Sequence, residues 1–168
     1  MVDAETGEPA QEPNWLTAEE RAAWAPLAAM LVKLPPALDA QVQRDIGANH
    51  FEYGVLAHLS EAPGRTLRLR ELAARTNGSL SRLSHVVKRL EKRGWISREP
   101  SPDDTRYANV VLTDAGWDAV IAAAPGHLAT VRRLVIDPLS ATQLRYLRSI
   151  SSRIVDRFET DDDERGQL

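Results

Sequence analysis

The segment Leu80 to Arg93 carries two patterns at once. Leu83, Val86, Val87 and Leu90 recur at steps of three and four, the mark of one buried helical face. Ser79, Leu80, Ser81, Arg82, Ser84, His85, Lys88, Arg89 and Lys92 fill the helix start and the opposite face. Hydroxyls, an imidazole and long cations on one face suit hydrogen bonding to, and neutralisation of, a polyanion. A helix fits the major groove of duplex DNA, about 12 Å wide, and can present such side chains to base edges. Ser79 follows the tight turn Asn77-Gly78 and is placed to cap the helix, whose N-terminus suits a phosphate. Arg98 lies on a short strand beyond the helix. Arg106 follows in a loop, where it can reach a narrow minor groove.

The 168-residue chain has 21 basic and 24 acidic residues, net −3. The charges are segregated. Arg65 to Arg106 holds eleven basic and five acidic residues, net +6, so the remainder carries −9. One face can therefore attract a polyanion while the rest repels it. A plain solvated arginine-rich surface accounts for the charge asymmetry equally well. There is no cysteine, which excludes disulfides, thiolate metal sites and thiol catalysis. His50, His58, His85 and His127 show no i, i+4 pairing with carboxylate support, so no metal is expected. A Gly-rich phosphate loop, a nucleophile elbow and an HExxH motif are all missing, so neither an enzyme nor a cofactor is expected. No apolar run approaches the ~18 residues that span a bilayer. The acidic, Pro-containing start is unlike a signal peptide. These features predict a cytoplasmic, nucleoid-associated protein with no membrane partner.

The elements around this helix follow from spacing and punctuation. Residues 1–14 form a tail without apolar periodicity. Thr17-Ala-Glu-Glu20 fits a capping box, with Leu16 as a hydrophobic staple. Trp24, Leu27, Leu31, Leu34, Leu38, Val42 and Ile46 then form one stripe of a long helix within 15–49, with a kink or short break expected at 34–36 from Pro35-Pro36. Helices are predicted over about 50–60 and 69–76, with a short extended piece at 66–68. Gly94 ends the basic helix in a left-handed conformation. Strands Trp95–Glu99 and Tyr107–Leu112 make a hairpin. Thr113 caps a helix that Pro125-Gly126 breaks or kinks before His127 to Ile136. A last helix, about Ala141 to Phe158, bears Leu144, Leu147, Ile150, Ile154 and Phe158 on one stripe. An acidic tail, 159–168, is expected to be disordered. Trp15, Trp24, Trp95 and Trp117 read as packing residues. Lys92 and Arg93 read as complements to their own helix dipole.

Two helices joined by a short turn, the second basic, followed by a hairpin, describe a winged helix-turn-helix. Residues 71–96, together with Asp104-Thr105-Arg106 and Val111-Leu112-Thr113-Asp114-Ala115-Gly116, resemble the MarR (multiple antibiotic resistance regulator) family of bacterial transcription factors. In detail the chain is similar to an actinobacterial-type branch, through Trp-Leu-Thr-Ala-Glu-Glu at its start and Ala-Ala-Pro-Gly-His near residue 127. The resemblance implies a mainly α fold with a small β-hairpin wing, acting as a homodimer with a helical dimerisation base. Residues 15–49 and 114–158 would form that base, and 50–113 the winged DNA-binding domain. It also implies that Leu80, Ser81, Arg82, Ser84 and His85 start the groove-facing helix, with Lys88 and Arg89 near the backbone or in inward pairing positions. Asp104 would orient nearby arginines and Arg106 would be the wing tip. The chain departs from the family's pattern in having Leu69-Arg70 at the usual Ser/Thr cap, Tyr107 after the wing's Asp-x-Arg, and Pro35-Pro36 in the first helix.

The expected function is sequence-specific DNA binding by a regulator, a repressor on palindromic double-stranded operator DNA. By resemblance, a small phenolic or amphipathic effector binds near the first two helices, with Trp24, Leu27, His50, Tyr53 and His58 as pocket residues. Two alternatives stay open: an activator or architectural DNA-binding protein without an effector, and a winged protein–protein module.

Overall fold

The computed structural model describes residues 13–100 and 108–165, with side chains to Phe158. In chain order the elements are α1 (Ala18–Ile46), α2 (His50–Ser60), β1 (Thr66–Arg68), α3 (Leu69–Arg75), α4 (Leu80–Lys92), β2 (Ile96–Pro100), β3 (Ala108–Leu112), α5 (Asp114–Val131) and α6 (Ala141–Arg165). A short 3₁₀ turn, Pro63–Arg65, precedes β1, and a π turn, Arg132–Ile136, extends α5. The chain divides into two compact units, Met1–Pro35 and Pro36–Leu168.

In the first unit the Thr17 capping box forms as predicted. Thr17 N donates to Glu20 Oε2 at 2.7 Å, and Glu20 N donates to Thr17 Oγ1 at 3.2 Å. Trp24, Met30, Leu31 and Val32 along this part of α1 are exposed.

The second unit holds two apolar clusters. The larger takes Val55, Leu56 and Leu59 from α2, Leu72 from α3, Leu83, Val86, Val87 and Leu90 from α4, and Leu67, Ile96, Val110 and Leu112 from the strands. All four apolar residues predicted for the inner face of α4 are buried. The smaller cluster joins Val42, Ala48, Tyr53 and Ala123. Trp95 packs against both. The sheet is antiparallel with order β1-β3-β2. Leu67 pairs with Val110 on one side, and Ile96 with Leu112 through Pro100 with Ala108 on the other. The expected hairpin thus gains a third strand, because the extended piece before α3 bonds along the free edge of β3.

Three expectations fail on helix length. α1 is helical straight through Pro26, Pro35 and Pro36, so the short break offered as one outcome at 34–36 does not form, and the boundary between the two units falls between Pro35 and Pro36. α5 likewise runs through Pro125 instead of breaking there. A helical proline frees the carbonyl four residues earlier. Those positions, Ala22, Leu31, Val32 and Ile121, are exposed, so water can satisfy them. α6 continues to Arg165, seven residues past the expected end at Phe158, since no Gly or Pro intervenes before Gly166. A further expectation is corrected by composition. Asp114–Ile136 is long and apolar enough to cross a membrane, with mean hydropathy 1.3. About 22% of that stretch is buried, Ala119, Val120 and Ala123 among it, while Ile121 and Leu128 are exposed.

The wing is rooted on α5 by close backbone contact. Thr113 caps α5 through Gly116 N at 3.1 Å, and its hydroxyl donates to Gly94 O at 2.7 Å. Gly116 lies flat against the Trp95 carbonyl and the Leu112 side chain, leaving no room for a Cβ. Gly116→Ala is therefore expected to destabilise the fold by about 1–3 kcal/mol, the usual cost of overpacking, read as a lower urea midpoint with an unchanged m-value.

Candidate nucleic-acid interface

The turn before α4 sets where the helix begins. Asn77 adopts a left-handed φ of 49°, and Ser79 takes the predicted cap position. Ser79 Oγ accepts from Arg82 N at 3.2 Å, and Leu83 N donates to Ser79 O at 2.9 Å. The amides of Leu80 and Ser81 then remain first-turn donors for an anion. Leu80 is exposed beside them.

The polar residues of α4 separate into two stripes with different duties. Ser81, His85, Lys88 and Lys92 recur at steps of four, three and four, and all are exposed. None of the four side chains has a polar partner among the described residues. Ser84 flanks them, half-buried. Arg82, Arg89 and Arg93 form the neighbouring stripe, and each is engaged by another element. The Arg82 guanidinium sits 4.1 Å from the centre of the Phe51 ring. Arg89 Nε donates to Glu52 Oε1 at 2.8 Å. Arg93 donates to the carbonyls of Ile46 and Gly47 at the end of α1, at 2.8 and 2.9 Å, and stacks 3.6 Å over Trp95. Arg93 therefore serves the C-terminus of α1, where the sequence suggested its own helix. Arg89 takes the inward pairing position.

Glu52 is the residue that sequence reasoning missed. Its side chain is 9% exposed, and its second oxygen accepts from Asn49 N at 3.1 Å in a capping box that starts α2. The Asn49-x-x-Glu52 spacing was the available signal. On the wing, Arg98 is held by Glu91 at 2.5 Å, which also draws the Glu91 carboxyl below its usual range. Asp104 and Arg106 lie outside the described residues. Among the described residues no group of three or more side chains is suited to holding a metal ion.

The family model described as "MarR family" matches residues 45–106, from the end of α1 through the basic helix and into the wing. The crystal structure of Sco3205, a MarR family transcriptional regulator from Streptomyces coelicolor in complex with DNA, is 43% identical. The match covers 86% of this chain and 91% of that one, with a TM-score of 0.84. This chain belongs to the MarR family. AbsC, a second MarR family regulator from Streptomyces coelicolor, is 33% identical over 88% of this chain and 99% of its own, also with a TM-score of 0.84. The transcriptional repressor MprA of Escherichia coli is 26% identical over 67% of this chain. The chain spans 64% of MprA and 44% of the regulator YdcH of Bacillus subtilis, 38% identical over 64 residues. As a MarR-family protein the chain is a DNA-binding transcriptional regulator with a winged helix, not an enzyme.

Of the expected effector residues in this MarR-family chain, the second unit brings His50 and Tyr53 together on His127, which sequence reasoning left out. The His50 and His127 rings stack at 5.4 Å, and Tyr53 tilts against His127 at 4.8 Å. His50 N donates to Asp39 Oδ1 at 2.6 Å. Nearby on α1, Gln41 is 3% exposed and donates to Asp45 Oδ2 at 2.5 Å and to Ala123 O at 3.4 Å. Gln41 Oε1 and His127 Nδ1 are both buried without a partner. Burial lowers the pKa of His50, opposed by Asp39, and lowers that of His127, aided by His50. Burial, helped by Glu61, raises that of Tyr53. His58, half-buried, makes no ring contact with this group. Trp24 and Leu27 belong to the first unit.

These geometries lead to several expected outcomes, the first two on binding and stability. Lys88→Ala is expected to lower the slope of log affinity against log salt by about one, as one phosphate contact disappears. Arg89→Ala should leave that slope intact and instead cost about 1–3 kcal/mol in urea unfolding, because the buried Glu52 carboxylate loses its charged partner. A further outcome concerns acid. Both imidazoles titrate below the ordinary 6.5 when folded. The unfolded chain therefore takes up protons first, and stability should fall as pH drops through the ordinary imidazole range toward the lowered folded-state values. His127→Gln is expected to flatten that decline.

Proposed function

We propose that the protein acts as a homodimeric repressor that binds palindromic operator DNA and is released by a small aromatic or amphipathic ligand. The observation that carries the DNA side is the exposed stripe Ser81, His85, Lys88 and Lys92 on α4, without polar partners among the described residues. Two such helices would enter successive major grooves about 34 Å apart. Phosphate contacts from Lys88, Lys92 and the amides at the start of α4 would supply affinity. Ser81, Ser84 and His85 would supply base preference, with Arg82 joining them only on leaving the Phe51 ring. Arg98 and, beyond the described residues, Asp104 and Arg106 would extend contact to the flanking minor groove.

Dimerisation draws support from apolar residues with nothing over them. On α6, Tyr146, Ile150, Ile154 and Phe158 recur every four residues and are exposed. Trp24, Leu31 and Val32 are exposed in the first unit. Apolar stripes of this kind mark association surfaces. The ligand reading rests on the group formed by His50, Tyr53 and His127, near which Gln41 Oε1 is also unpartnered. A phenolic hydroxyl could pair with either orphaned atom while its ring lies against the imidazoles. A ligand releases DNA only by its differential affinity for the two states.

The test is gel retardation of duplexes that the protein selects from its own genomic DNA, with salicylate and p-hydroxybenzoate as ligand probes. The expected result is a footprint of two half-sites one helical turn apart, a sedimentation mass twice 18.6 kDa, and release by a phenolic probe that His127→Ala blunts. A monomer on a single half-site overturns the dimer. Retention of DNA at saturating probe, with no probe bound, overturns phenolic release.

A further inference from the structure

The Arg93 guanidinium joins the end of α1 to the base of α4 and the wing. Its two terminal nitrogens donate to Gly47 O and Ile46 O, carbonyls that the last turn of α1 leaves without helical partners. Its plane covers Trp95. Trp95 is the first residue after the α4 terminus, Arg93-Gly94, and leads directly into β2. Its amide donates to Leu90 O at 3.1 Å, and its carbonyl accepts from Thr113 N at 3.1 Å, just ahead of α5. The indole also packs against both apolar clusters. One side chain thus touches the end of α1 and the seam where α4, the wing and α5 converge.

We infer that Arg93 is a positioning residue for DNA recognition: it locks the end of α1 to the base of the recognition helix and wing, so that both reading elements follow α1. The guanidinium suits this duty because its planar fork reaches two carbonyls while its face stays on the indole. An ammonium cannot do all three. The other arginines of the stripe do not reach α1. Arg82 and Arg89 both engage α2, whereas Arg93 engages the end of α1. The inference rests on the DNA-binding role already described. It separates Arg93 from the exposed cations of the same helix that are proposed to touch DNA.

The test uses full-length wild type, Arg93→Ala and Arg93→Lys. The probes are a duplex that the wild type selects from random-sequence DNA, and poly(dI-dC) as non-specific DNA. Arg93→Ala is expected to lose roughly ten- to a hundredfold on the selected duplex, the range for removing charge-assisted hydrogen bonds. Its affinity for poly(dI-dC) and its salt slopes should stay at wild-type values. Arg93→Lys should fall between the two. Amide exchange without DNA should quicken together at 44–49 and 93–98 in Arg93→Ala, while α3 stays protected. A slope reduced by about one on both DNAs would make Arg93 a phosphate ligand and overturn the inference. Unchanged affinity for the selected duplex, or unchanged exchange at either segment, would also overturn it. Should Arg93→Ala fail to fold, Arg93→Lys decides: selected-duplex binding equal to wild type sinks the idea, and weaker binding with normal poly(dI-dC) affinity upholds it. Failure of the wild type to select any duplex would count against DNA binding itself, and the exchange experiment would still judge the lock.

Discussion

Both carboxylate oxygens of Glu52 are occupied inside the protein, one by the amide that starts α2 and the other by Arg89 of the recognition helix. A buried carboxylate with an unfilled oxygen would carry a large desolvation cost. The pairing therefore fixes where α2 begins and how α4 is rotated about its own axis. That rotation decides everything outward. With Arg89 turned to α2 and Leu83, Val86, Val87 and Leu90 in the core, one stripe of α4 is left for a partner. The helix is divided three ways, and the share available to DNA is what the other two leave over.

This division explains what could be read from the chain directly. The apolar stripe of α4, the Ser79 cap, the Thr17 and Thr113 caps and the start of α2 at His50 are all local patterns, decided within a turn or two of helix. They were legible because spacing alone specifies them. The partners of the arginines were not. Glu52 lies 37 residues before Arg89, and Gly47 lies 46 before Arg93, so no window on the sequence holds both members. A list of exposed cations therefore merged two groups with different duties. The prolines misled for a related reason. Pro35, Pro36 and Pro125 each leave one carbonyl without its helical donor, and whether that matters depends on which way the carbonyl faces, a property of the folded packing.

The polar group around His127 obeys the opposite logic. In the smaller apolar cluster Val42, Tyr53 and Ala123 are buried, yet nearby Gln41 Oε1 and His127 Nδ1 have no partner among the described residues. Buried polar atoms usually have one. Water or the proposed ligand would complete them, which is why the ligand reading centres on this group. Trp95 packs against this cluster and against the larger one beneath α4. A change in the small cluster has a short physical route to the recognition helix, through one indole and the backbone on either side of it.

The segregation of charge acts at longer range. A net charge of −3 looks unsuited to a polyanion, and the −9 outside the basic segment still more so. Salt limits how far either charge is felt: at physiological ionic strength screening acts over about 8 Å. In the proposed complex, the stripe of α4 and the start of that helix would meet phosphate at a distance where their own charges dominate. Acidic residues remote from the groove are screened from it, but they still weaken the protein's loose association with any DNA in other orientations. The acidic frame therefore lowers non-specific binding more than specific binding. A regulator that must find few sites among many competing ones benefits from that difference rather than from raw affinity.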